Sequence, residues 1–464
     1  MVAKPAFATI KLFVSGRGQH EHPPRSDLIL HGWLWLTGGN IHLVRLPSVI
    51  FYLLGAWFPI QAARRMGGDR ARNDTLILLL WPYGFHLGRP AGWYSFTFLL
   101  LSLLTFGHLK YLERRSPGTW MPVVLCALAL VDTNYCGWAV LGLVGLDRLL
   151  RLGRERRTWL LLATGLFLLV ACIPIMRALM TELRTGAVRG RASSPLARGT
   201  YNLYCLFVSE SVAGWIWVPG IAAALAIAVV LLLVFVYAKP EARRFFLYFA
   251  ALLIVMTFLQ IVTTRRTLMI SPWLILPVGT TLGTMTLPSA RRALASSLVL
   301  VGAIGWYGIF SRKLYAAPHW VEPWDQVARQ AAEVASNGGI VIGNNPSFFF
   351  YLTYFMPATS PATNGNFAGI LPSSVRAPNI YSPEEWMEAG APTKLVVVVF
   401  DGLSFGVPGP SMEEIRNALS ARCKTVGEQD LVRDAGAKWK QEYQPATGQR
   451  VWRIRVVTFG CAAQ

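Results

Sequence analysis

Through the first 310 residues long apolar stretches are separated by short polar segments, and beyond them that pattern stops. Each stretch approaches the ~20 residues a helix needs to cross about 30 Å of hydrocarbon. The alternation predicts ten spans, over residues 41–63, 73–88, 92–109, 118–132, 136–150, 158–176, 212–237, 245–262, 268–287 and 294–310. The stretch Asp27–Thr37 (DLILHGWLWLT) is too short to cross alone. Its His31, Trp33 and Trp35 suit a helix lying in the membrane interface.

From residue 311 the period changes. GIVIG (Gly339–Gly343) and KLVVVVF (Lys394–Phe400) are apolar, β-branched and bounded by Gly or Pro, which predicts buried parallel strands. VWRIRVV (Val451–Val457) alternates as an edge strand does. Helices are predicted over 324–335 and 411–421, the second with Ser411 and Glu414 as a capping box. The expected fold class is an all-α polytopic membrane domain with a C-terminal extracytoplasmic α/β domain. The expected divisions are an amphipathic juxtamembrane segment over 1–40, a transmembrane domain over 41–310 and a soluble periplasmic or luminal domain over 311–464.

Composition agrees with a membrane protein. Hydrophobic residues make up 53% of the chain and charged residues 15%, where a soluble domain carries roughly 25% charged. A disordered chain, a coiled coil and a single soluble globule are excluded. Six cysteines without a CxxC pair argue against zinc ribbons and disulfide scaffolds.

The net charge of +20 invites a nucleic-acid reading, and its distribution removes it. Residues 1–310 hold 30 Lys and Arg against 11 Asp and Glu, whereas residues 311–464 hold 14 against 13. The soluble part, where a nucleic-acid site would need its basic patch, is nearly neutral. The excess lies between apolar stretches, where the positive-inside rule accounts for it. One alternate set of short loops carries 17 cations: Arg64, Arg65, Arg70 and Arg72, then Lys110, Arg114 and Arg115, a run of five between Arg148 and Arg157, then Lys239, Arg243 and Arg244, and last Arg291 and Arg292. The opposite set carries eight, five of them in the single loop 177–210. The first set is therefore predicted to be cytoplasmic, which puts residues 311–464 outside.

Glu21–Gly68 carries a sequence of features in order: His22-Pro23-Pro24, an amphipathic apolar stretch, Gly38-Gly39, Arg45-Leu46-Pro47-Ser48, a span, then Arg64-Arg65 before Gly67-Gly68. Gly88–Phe106 adds an Arg and a Tyr before a span, Asp132–Tyr135 (DTNY) ends a helix, and Thr264–Pro277 (TRRTLMISPWLILP) joins an Arg pair to a Leu-Pro span. This order and spacing resembles the polyprenyl-phosphate-sugar-dependent GT-C glycosyltransferases, the group of the protein O-mannosyltransferases and the lipid A aminoarabinose transferase. The resemblance implies a cell-envelope enzyme of the inner (plasma) membrane. It would move a sugar from a polyprenyl-phosphate carrier to a lipid, glycan or protein acceptor outside the cytoplasm, with membrane lipids around it, no cofactor and no nucleic acid.

Such transfer needs a carboxylate to take the acceptor's proton and cations or amide donors at the leaving phosphate. Arg265 and Arg266 lie on the outer side against the charge bias, so a phosphate site is one reading and headgroup snorkelling the other. Arg89 is misplaced in the same way, five residues before Tyr94. Asp132, beside Asn134 and Tyr135, reads either as a group that positions a hydroxyl or as a cap in a tight turn. Arg89, Tyr94, Asn134, Tyr135, Arg265 and Arg266 are thus the expected substrate-binding residues. The family's base belongs to an Asp-Glu pair in a first outer loop upstream of His-Pro-Pro. Here that position falls before Met1, so the catalytic residue is unassigned, an additional upstream helix is expected, and Glu21 and Asp132 are the carboxylates left as candidates. His20-Glu21-His22 runs into Pro23-Pro24 and lacks a helical metal-binding geometry, so no metal is expected.

Two other classes remain. A flippase or transporter for a lipid-linked sugar would use the same basic loops, but such proteins are commonly built from duplicated halves, and no internal repeat is visible. An inactive, truncated relative would also lack the base. Cys423 and Cys461 share the outer domain, where a disulfide is permitted.

Overall fold

The computed structural model describes residues 28–29, 32–33, 36–37, 43, 45–78, 81–88, 94–114, 116–134, 136–152, 195–212, 217–258, 266–311, 324–343, 380–381, 395–401, 412–420, 423–431 and 454–461. They fall into two compact units, one ending at Ser311 and one following it.

The first unit is helical. In order come α1 (Leu46–Leu78), α2 (Pro82–Gly88), α3 (Tyr94–Arg114), α4 (Pro117–Val131), α5 (Gly137–Leu152), α6 (Pro195–Val208), α7 (Trp217–Tyr237), α8 (Pro240–Phe258), α9 (Thr267–Ile270), α10 (Pro272–Thr284) and α11 (Pro288–Ser311). Among the described residues five segments are long and apolar enough to cross a membrane: Leu46–Leu76, Tyr94–Arg114, Val218–Tyr237, Thr267–Thr284 and Pro288–Ser311. This is a multi-pass membrane protein. The predicted span 158–176 lies outside the described residues.

The first two predicted spans are joined differently from the expectation. Helix continues from Leu46 through the expected loop and breaks at one residue, Gly68, whose φ of 75° only glycine adopts readily. Gln61, Ala62, Ala63, Arg64, Arg65 and Met66 are good helix formers, which carries the helix up to that glycine. The stretch after Gly68 then packs on α10 through small residues. A β-carbon on Gly283 would stand 2.5 Å from the Ala71 Cα, and one on Gly279 would stand 2.9 Å from the Thr75 Cα. Gly279–Gly283 is a GxxxG pair, the device by which membrane helices approach closely.

A second difference is α6. It falls inside the loop predicted to be solvated, and Tyr204, Cys205, Leu206, Phe207 and Val208 on it are buried. Its N-terminal half is polar, which hid a helix with one apolar face. Upstream, Leu28, Ile29, Gly32, Trp33 and Leu36 are helical, and the Trp33 indole donates to the Leu43 carbonyl at 2.8 Å.

The basic loops gather at one end of the bundle. Arg65 pairs with Glu113, Arg291 reaches Asp74 at 3.6 Å, Arg64 and Arg72 both reach Asp69 at 3.1 Å, and the Lys239 ammonium lies 3.5 Å from the Met66 carbonyl.

The second unit is α/β. α12 (Trp324–Ser336) leads to β1 (Ile340–Gly343), then come β2 (Ile380–Tyr381), β3 (Leu395–Asp401), α13 (Met412–Ser420), β4 (Cys423–Leu431) and β5 (Ile454–Cys461). The sheet order is β2-β1-β3-β5-β4, with β2, β1 and β3 parallel and β5 antiparallel to both neighbours. The two parallel strands stand as expected. The expected edge strand does not: β5 is interior, and β4 covers it. β4 (CKTVGEQDL) is polar and mostly exposed, so it carried no apolar alternation to reveal it. Ile340, Ile342, Ile415, Leu419, Val457 and Phe459 form the core. Cys423 lies opposite Cys461 in the ladder, and the two form a disulfide.

Candidate functional site

The end of the bundle opposite the basic loops holds a group of buried polar side chains. α2 begins at Pro82, whose fixed φ suits a first helical position, and this aims Tyr83 into the bundle, where it is fully buried. The Tyr83 and Thr267 hydroxyls are 2.6 Å apart. Thr267 opens α9, and Arg266 is that helix's N-cap residue. α9 runs for one turn before Ser271-Pro272 starts α10. The short turn lets Arg266 stop at the bundle's end while Trp273 sinks into the core and donates its indole N–H to Thr105 Oγ1 at 2.9 Å.

Arg266 lies within electrostatic reach of Cys136, in the turn between α4 and α5. That turn is built by Asn134, whose Oδ1 accepts the Cys136 backbone N–H at 2.9 Å. The Asn134 Nδ2 is buried without a hydrogen-bond partner among the described residues. Asp132 is the C-cap of α4, its backbone N–H bonded to the Leu128 carbonyl at 3.0 Å. Tyr94 opens α3 half-buried, within electrostatic reach of the Tyr83 hydroxyl.

The fold therefore brings Tyr94, Asn134 and Arg266 into one neighbourhood through Tyr83, Thr267 and Cys136. Asp132 borders it on the α4 turn. Glu21, Arg89, Tyr135 and Arg265 lie outside the described residues. A guanidinium beside an amide donor and hydroxyls is an arrangement that can receive an anion.

Two residues that the sequence reading passed over belong to this end. Glu210 is the one buried carboxylate among the described residues of the membrane unit, 8% exposed, in the 3₁₀ turn Ser209–Ser211 that ends α6. It lies within electrostatic reach of Tyr83. In the turn, Ser209 has a φ of 63°, a strained value for a residue with a side chain. Its hydroxyl is held against Nδ1 of buried His86. A lone acid beside an apolar span was the available signal for Glu210, since ionisable residues at membrane depth are costly and usually functional. His86 carried no comparable signal. Among the described residues no three His, Cys, Asp or Glu side chains are grouped to hold a metal ion.

No protein-family model matches the chain, and no curated protein matches it. Solved structures do. ArnT from Cupriavidus metallidurans bound to undecaprenyl phosphate superposes with a TM-score of 0.55 at 15% identity, covering 99% of this chain and 93% of that one. The same protein in its apo state gives 0.55 at 14%, covering 99% and 94%. The likeness is one of fold: a GT-C-type helical membrane domain followed by an α/β domain.

Proposed function

We propose that this chain is a membrane glycosyltransferase that moves a sugar from a polyprenyl-phosphate carrier to a lipid, glycan or protein acceptor outside the cytoplasm. The observation that carries the reading is the position of Arg266. It is a cation at the end of the bundle opposite the basic loops, beside the Asn134 turn and the Tyr83–Thr267 pair. The fold likeness to a protein whose structure holds undecaprenyl phosphate supports it.

In this reading Arg266, with Arg265 and Arg89, holds the carrier phosphate and stabilises charge growing on it as the glycosidic bond breaks. Tyr94, Asn134 and Tyr135 line the sugar or acceptor side. The acceptor's proton goes to a carboxylate, for which Asp132 and Glu21 remain candidates and which the buried Glu210 joins. The orientation is the one the loop charges predict, with the end that bears Arg266 and the α/β domain outside.

The test is transfer from a synthetic polyprenyl-phosphate sugar by the full chain in lipid nanodiscs. Losing a charge-assisted contact costs roughly 1.5–3 kcal/mol, or about 10- to 150-fold in rate. Arg266→Ala and Arg265→Ala should fall by that factor, with Arg64→Ala close to the parent chain. Equal small effects at all three positions would reduce the arginines to headgroup anchors. Protein-dependent movement of the lipid-linked sugar across vesicles, without transfer, would identify a flippase instead.

A further inference from the structure

A cavity of about 830 Å³ opens among α1, α10 and α11 in the membrane unit, and neither Arg266 nor Asn134 lines it. Its walls are apolar, with Val278, Phe207, Leu298 and Trp306 among them. Among the described lining residues, the charged ones gather at one end. There the cavity is lined by Asp74, Arg291 and Arg292. Arg291 is committed to protein groups: its Nε–H donates to the Leu282 carbonyl at 3.0 Å and its Nη2 reaches Asp74 at 3.6 Å. Arg292 is exposed and has no carboxylate partner among the described residues. Two guanidiniums against one carboxylate leave that end positive, and it lies where the other basic loops gather. Along α11, from Arg291 to Trp306, the cavity runs about 22 Å at 1.5 Å per residue.

We propose that this groove binds an anionic phospholipid from the leaflet at the basic end of the bundle, the cytoplasmic one by the positive-inside rule. Its phosphate rests on Arg292 with Arg291 beside it, and one acyl chain lies between α10 and α11. Charge selects this occupant. A polyprenyl phosphate entering from the opposite leaflet would bring its anion to the Trp81 and Trp306 end, where no cation is among the described residues that line the cavity. A zwitterionic lipid brings an ammonium along with its phosphate, so the cationic end favours a headgroup with net negative charge. The lipid site does not rest on the transfer reaction.

The experiment is native mass spectrometry of the full chain released from nanodiscs of phosphatidylcholine with one-fifth phosphatidylglycerol. One or more phosphatidylglycerol molecules should be retained over phosphatidylcholine. Arg292→Ala should lower that retention by about tenfold or more, as for a lost charge-assisted contact. Gly302→Phe tests the groove itself. Gly302 lines it, and a β-carbon there meets nothing within 4 Å, so the ring can enter the cavity without forcing helices apart. It should expel the lipid with both arginines intact. Arg64→Ala, a surface cation elsewhere at the same end, should retain the lipid as the parent does. Unchanged retention in Gly302→Phe, or equal loss in Arg64→Ala, would reduce the effect to surface attraction and overturn the site. Displacement of phosphatidylglycerol by a polyprenyl phosphate that Arg292→Ala leaves unaffected would assign the groove to the carrier's tail and overturn it as well.

Discussion

Tyr83 and Thr267 meet at 2.6 Å across 184 positions of sequence, and Thr267 follows directly on Arg266. The bond ties the start of α2 to the start of α9, so a residue early in the sequence of the membrane unit fixes where a cation late in that sequence stands. A buried neutral hydrogen bond is worth roughly 0.5–1.5 kcal/mol, and leaving one partner unsatisfied costs more. Tyr83→Phe should therefore lower stability by about 1–2 kcal/mol, and Thr267→Val by a similar amount. The double variant should lose less than the sum, because both singles break the same contact. Thermal unfolding of the four proteins in detergent measures this, and strict additivity would show that the two hydroxyls are not coupled. Transfer should decline in both singles while binding of the carrier weakens, since Arg266 loses its anchor.

The contact of α1 with α10 makes a second expectation. Gly283 faces Ala71 at a distance that leaves no room for a β-carbon, and Gly279 faces Thr75 likewise. Gly283→Leu must push the helices apart, and overpacking of this kind costs typically 1–3 kcal/mol. Gly142→Ala is the comparison. Its β-carbon would meet nothing within 4 Å, and replacing an exposed helical glycine should stabilise by roughly 0.5–1 kcal/mol. Opposite signs for the two substitutions would establish that close approach, not helix propensity, sets the glycine requirement at 283. Matching signs would refute it.

The two readings above show where sequence was sufficient. Membrane crossings were legible because hydrocarbon demands an unbroken apolar run, and α3, α7, α10 and α11 each supply one. Strand β1 was legible for the same reason, being buried along its length, and β3 by its unbroken β-branched run. Elements set by tertiary contact were not. α6 has a polar half, β4 is nearly all polar, and the Gly279–Gly283 face gains meaning only once Ala71 and Thr75 lie against it. The site divides in the same way. Arg266, Tyr94 and Asn134 stood out by position against the loops' charge bias or in a motif, whereas Tyr83 and His86 are ordinary residues of an apolar stretch until the fold buries them.

The last expectation concerns the α/β unit. Cys423 and Cys461 close a loop of 38 residues between paired strands at the sheet edge. On the chain-entropy account, a bond of that span is worth roughly 4 kcal/mol to the folded unit. The substitution Cys423→Ser should destabilise that unit by a few kcal/mol, and a reductant should do the same to the parent chain but not to the variant. Cys126, Cys136 and Cys205 are free thiols in the membrane unit, two of them buried, and should react slowly with a maleimide unless the chain is unfolded. The bond also reports on sidedness, because disulfides persist in oxidising compartments and are rare in the cytosol. If residues 311–464 lie outside, cells quenched with an alkylating agent should yield chain in which Cys423 and Cys461 resist labelling until reduced. A phosphatase fused after Phe310 should then be active and a fluorescent protein fused there dark. Full labelling before reduction, together with a fluorescent fusion, would place the unit in the cytosol. That outcome would invert the orientation predicted from the loop charges.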